Sequence, residues 1–179
     1  MTKSHPTIGC CGIDCALCPR YYTKGNSICP GCLGEYFEKS RPPCPIANCC
    51  YKKNNHEVCG QCNDYPCNRW DDKDKVEKDS FVTHKRALFN QDFIKNHGLE
   101  TFISQQQVRI GLLETLLNNY NDNRSKNFYC LATALLSLES INDIINYIKE
   151  NNNIEIATLK EKINHLAKEE NIVLKLIKK

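Results

Sequence analysis

A chain of 179 residues has room for one domain or two small ones, and its 41% hydrophobic and 25% charged residues are those of a soluble globular protein rather than a disordered one. The formal net charge of +3 is too small to select a partner, and no apolar run reaches the roughly 18 residues of a membrane span. No charged start with an apolar stretch precedes the first cysteines, so the expectation is a cytoplasmic protein without membrane association.

Residues 1–70 hold twelve of the thirteen cysteines: Cys10, Cys11, Cys15, Cys18, Cys29, Cys32, Cys44, Cys49, Cys50, Cys59, Cys62 and Cys67. Their other apolar residues stand singly or in pairs such as Tyr21–Tyr22 and Tyr36–Phe37, with no sustained period of 2 or 3.6. Burial alone therefore does not hold this segment. Disulfides suit exported chains, whereas thiols stay reduced in the cytosol. Metal is the better account, because a Cys-x2-Cys turn aims two thiolates at one ion about 2.3 Å away. Three such pairs occur, Cys15/Cys18, Cys29/Cys32 and Cys59/Cys62. Cys11 lies four residues before the first and Cys67 five after the last, and Cys44/Cys49 is a looser pair. A thioredoxin-like redox motif needs strands alternating with helices around it, and none is visible around "CPGC".

With Cys10 and Cys50 set aside as the extra members of adjacent pairs, ten cysteines remain, which is not a multiple of four. Two four-thiolate sites with two cysteines over, a four-thiolate site beside a six-thiolate binuclear cluster, or three-thiolate sites open or completed by His56 all satisfy the count. Zinc fits thiolate pairs joined by short loops, and a structural site contributes about 10–16 kcal/mol to folding. An iron–sulfur cluster is the alternative. Cys18, Cys29 and Cys44 each precede a proline, yet no segment has the Cys-x2-Cys-x2-Cys-x3-Cys-Pro order. Cys11, Cys15 and Cys18 have the spacing of radical S-adenosylmethionine enzymes, but those enzymes use α/β barrels of upward of about 200 residues, and here more cysteines and then helices follow.

The stretches "CCGIDCALCPRYY", "CPGC" and "CPIANCCYKKNNHEVCGQCNDYPCNRW" together resemble the cysteine-rich family called domain of unknown function 3795. Its pattern opens with Cys-Gly-x-Asp-Cys-x2-Cys-Pro and closes with Cys-x2-Cys-x-Asp-Tyr-Pro-Cys. The resemblance puts the family positions at Cys11, Cys15, Cys18, Cys29, Cys32, Cys44, Cys49, Cys59, Cys62 and Cys67, and implies a metal-binding module without an established activity. Cys10, Cys50 and Cys130 depart from the pattern. Downstream, "IKNHGLETFISQQ" and "LLNNYNDNRSKNFYCLATALL" are similar to segments of some members.

The charged run "DDKDKVEKDS", residues 71–80, reads as a linker, and residues 81–179 as a helical region. Leu113, Leu116, Leu117 and Tyr120 share a helical face, as do Phe128, Leu131, Leu135 and Leu138. Ile141, Ile144, Ile145 and Ile148 follow a capping box of Ser140 and Asp143. Thr158 and Glu161 are spaced likewise before Leu159, Ile163, Leu166, Val173 and Ile177. The fold class is mostly α: an irregular, metal-stabilised cysteine-rich module, with four or five helices packed beside or onto it. "KENNNIE" reads as a turn and "VLKLIKK" as a frayed end. The connection "NDNRSKNFYC" offers a helix start with Arg124 and Lys126 for an anion, against the plainer reading of a capped turn with a buried Cys130.

Three functions are compatible with these residues. The first is a structural zinc module presenting loops to a protein partner. Nucleic acid is a weaker choice, because Glu35, Glu38 and Glu57 interrupt the basic face of Arg20, Lys24, Lys39, Arg41, Lys52 and Lys53 with Tyr21, Tyr22 and Tyr51. The second is an iron–sulfur electron carrier, and the third a zinc–thiolate enzyme or thiol-transfer protein. No Ser-His-acid set, phosphate-binding glycine loop or His-Glu-x2-His helix is present, and His84, His97 and His165 are isolated. The reading is a non-catalytic zinc-binding protein.

Overall fold

The structure, a computed structural model, describes residues 2–37, 42–70, 78–151 and 153–177. It is 55% helical, and the described residues contain no strand, only one antiparallel bridge between Ile8 and Asp14. The cysteine-rich segment is irregular, as expected. It turns through single 3-10 turns at Cys15–Leu17, Gly25–Ser27, Cys59–Gln61 and Asn68–Trp70, and through a short helix Pro45–Ala47 that widens into a π-type turn at Asn48–Lys53. Pro45 at the first helical position has its φ already set for a helix and no N–H to leave unpaired.

Five longer helices follow: α1 (Ala87–His97), α2 (Leu99–Asn119), α3 (Lys126–Leu135), α4 (Leu138–Glu150) and α5 (Ile156–Glu169). On α2 the face of Leu112, Leu113 and Leu116 is buried, with Leu117 and Tyr120 packed at its edge. Helix α3 is buried from Tyr129 through Leu135, which is the burial expected of a helix apolar all round. Ile141 and Ile144 of α4 and Leu159, Ile163 and Leu166 of α5 close the same core.

Four helix ends differ from the sequence reading. Leu138 does not extend the stripe of α3, because Leu136 turns the chain out of the helix and Ser137 starts the next one. Ser137 is the N-cap of α4, its hydroxyl accepting from the Ser140 amide at 3.1 Å, so the box placed at Ser140 lies inside the helix. Helix α5 starts after Glu155 rather than at Thr158 and stops at Glu169, which leaves Val173 and Ile177 exposed and outside its stripe. The tail is also tied down at Ile177, whose amide donates to Asp79 Oδ2 at 2.8 Å and whose carbonyl accepts from the Asp79 amide at 3.0 Å. Lys178 and Lys179 lie outside the described residues, as do residues 71–77 of the charged run.

The helices pack onto the cysteine-rich segment through two kinds of contact. Leu17 enters the helical core, and Ile8 and Val58 meet Ile94 and Phe102. Between these apolar patches runs a polar clamp. Asn90 Nδ2 donates to Gly12 O and Asp14 Oδ2, both at 2.8 Å, and Gln91 Nε2 donates to Cys10 O at 2.8 Å. Gln106 Nε2 donates to Asp14 Oδ1 at 2.8 Å, and the Gly60 amide donates to Gln91 Oε1. Each of these buried N–H donors thereby keeps a partner, which offsets its desolvation, whereas Asn90 Oδ1 and Gln106 Oε1 are buried without one. The approach is close enough to require glycine. A Cβ on Gly12, whose φ is +82°, would stand 2.2 Å from Ala87 O, and one on Gly60 would stand 2.4 Å from Gln91 O.

Candidate metal centre

All thirteen cysteines are free thiols. The small apolar cluster inside the cysteine-rich segment is itself half thiol: Cys10 and Cys50 are buried with Leu33 and Ala47, and Cys32, Cys44 and Cys59 pack at its edge. Cys10 Sγ and Cys32 Sγ stand 3.9 Å apart. The Cys50 thiol donates to His56 O at 3.2 Å, and Cys50 and Cys59 pack in the same cluster as Cys10 and Cys32. Backbone bonds fix the same residues. The Cys59 amide donates to Cys10 O at 3.0 Å, the His56 amide to Cys50 O at 2.9 Å, and the Cys32 amide to Pro6 O at 2.8 Å.

The neighbouring thiols shift in opposite directions. Cys32, whose thiol donates to Cys10, and the nearby Cys50 hold Cys10 below an ordinary thiol against the cost of burial, and the Lys3 charge adds to the effect. Cys59 is lowered by its neighbour Cys50. Cys32 moves up beside Cys10 and under burial, and Cys50 moves up beside Cys10 and Cys59 and under burial.

A second neighbourhood gathers Cys11, Cys15, Cys18 and Cys29. Burial pushes Cys11 up to about 11 and Cys15 well above an ordinary thiol, and the charges of Cys11, Cys29 and Cys18 would raise Cys15 further. Cys18 is raised by burial and then by Cys29. Cys44 lies near enough to Cys11 to act on it. Crowded, desolvated thiols stay protonated when alone and are deprotonated by a bound divalent ion. A third group, Cys49, Cys62 and Cys67, lines one cavity with Cys50, Cys59, His56 and Trp70. Among the described residues, no group of three or more His, Cys, Asp or Glu side chains is arranged to hold a metal ion as it stands. The donor chemistry is that of zinc or an iron–sulfur centre, and the thiols are gathered but not closed around a point.

Cys10 and Cys50, set aside in the sequence, are the two cysteines buried at the middle of the small apolar cluster. The available signal was the pair of doublets, Cys10–Cys11 and Cys49–Cys50. Cys49 and Cys50 line the same cavity, and counting both doublets makes twelve clustered cysteines, a multiple of four. Cys130 is buried on α3, with its thiol pushed up to about 12 by that burial. The turn before it is capped: Asp122 accepts from the Arg124 amide at 3.0 Å, from Ser125 Oγ and from Lys160 Nζ at 2.9 Å, so the protein's own carboxylate takes these donors. Of the basic face, Lys39 and Arg41 lie outside the described residues. Arg20 stacks over Phe81 at 4.5 Å, and Tyr22 packs against the helical core.

Residues 7–72 match the family model described as "Protein of unknown function (DUF3795)", the family whose motifs this segment resembles. No curated protein and no solved structure matches the chain.

Proposed function

We propose that the protein is a zinc-binding protein of the cytoplasm, in which thiolate sites hold the cysteine-rich segment so that its loops meet a protein partner. The observation that supports this most directly is the gathering of twelve free thiols into contiguous neighbourhoods, where cysteine takes the place of an apolar core. A segment so poor in other apolar side chains needs an added source of stability, and structural metal supplies it. No helix among the described residues is long and apolar enough to cross a membrane.

The test is elemental analysis with an absorption spectrum on protein purified without oxygen. Zinc without visible absorption supports the reading, and iron with sulfide and a broad visible band replaces it with an electron carrier. Cys62→Ser lowers metal content and unfolds the cysteine-rich segment, while Cys130→Ser leaves metal content unchanged. Equal loss in both variants would show that the thiols are not divided as described.

A further inference from the structure

Cys10 and Cys50 are buried in one small cluster with Cys32 and Cys59 packed at its edge, which joins two residues of the family pattern with two outside it. Four thiolates about 2.3 Å from a tetrahedral zinc ion lie about 3.8 Å from one another. The Cys10–Cys32 separation of 3.9 Å already has that length. The four residues come from four separate stretches of chain, each anchored by the backbone bonds described above, which is how structural zinc sites tie loops together.

A second observation concerns charge. The Lys3 side chain is 0% exposed; its Nζ donates to Ile8 O at 2.7 Å and stands 3.9 Å from Glu57 Oε2. That carboxylate also accepts the amides of Ser4 and His5, both at 2.9 Å. An enclosed ammonium is costly unless negative charge stands close to it. The Lys3 amide donates to the carbonyl of Leu33, which is buried in the same cluster as the cysteines, and a zinc ion bound by four thiolates carries a net charge of about −2 for the ammonium to offset.

We propose that Cys10, Cys32, Cys50 and Cys59 together bind one zinc ion, with Lys3 as the neighbouring counter-charge. This rests on the zinc reading above and adds to it two ligands that the family pattern omits. Binding draws the four sulfurs inward from their packed cluster to one centre and releases the protons that the neutral thiols carry.

The test is zinc stoichiometry in Cys10→Ser and Cys50→Ser beside the parent and Cys130→Ser. The expected result is the loss of one ion per chain in each of the first two, with circular dichroism of the helices retained. Full parental zinc in both would overturn the proposal while leaving the zinc reading intact, whereas a zinc-free parent would overturn both. Should the serine variants be insoluble, the parent protein is labelled with N-ethylmaleimide while a chelator withdraws zinc in steps. Cys10, Cys32, Cys50 and Cys59 then gain label together as one ion leaves. Labelling of Cys10 and Cys50 out of step with Cys32 and Cys59 would reject the site.

Discussion

Lys3 shows how much a single side chain can depend on its surroundings here. Its amide donates to Leu33 O and its ammonium to Ile8 O, so it is stitched across the thiol group from both ends. Replacing it as Lys3→Met keeps the main-chain bond and much of the packing but removes the charge. Zinc should then be lost to a competing chelator at roughly tenfold lower chelator concentration, equivalent to about 1.4 kcal/mol, as a titration would measure. Unchanged retention would mean that Glu57 alone neutralises the ammonium. At this scale the sequence was legible in part. Spacing shows which cysteines form Cys-x2-Cys pairs, because a turn brings those two together locally. It does not show that Cys10 meets Cys32 and Cys50, because those contacts depend on where distant loops land.

Among the elements, the stripes of α2, α3, α4 and α5 were readable because burial against an apolar core imposes a period of 3.6. Helix α1 was not, since its buried face is led by Asn90 and Gln91, polar side chains chosen by the main chain they bind. Ends were misjudged where a distant group does the capping. Glu170 accepts from the Ser137 amide at 2.9 Å and the Ser137 hydroxyl at 2.7 Å, and so holds the start of α4 from the far end of α5. Burial would raise this carboxyl, but bonds from Ser140 and Ser137 outweigh it and leave it below its ordinary value of 4.5. Its contribution to stability is therefore complete above about pH 4.5 and is lost as pH falls through the depressed value. Thermal melts of the parent should fall more steeply with acid than those of Glu170→Gln, and parallel curves would refute the assignment.

For the whole molecule, the contact between α1 and the cysteine-rich segment can be separated from backbone strain with glycine. Gly12 and Gly98 have similar φ values, +82° and +86°, but a Cβ on Gly98 would meet nothing within 4 Å, whereas one on Gly12 would collide with Ala87 O. Gly98→Ala should cost about 1–2 kcal/mol. Gly12→Ala should cost at least about 2 kcal/mol more, since the backbones must part. Denaturant melts followed by helical signal decide this, and equal losses would show that the interface is able to yield.

Chain order gives the clamp one further meaning. Asn90, Gln91 and Gln106 are made after every cysteine of the twelve, so Gly12, Asp14 and Cys10 are translated before the side chains that hold them in place exist. At bacterial or eukaryotic elongation speeds, Gln106 follows Cys67 by about 2 to 8 s. Until those side chains emerge, the thiols already outside the ribosome stand open to cellular metal and oxidant, and the helices then close over the state the segment has reached.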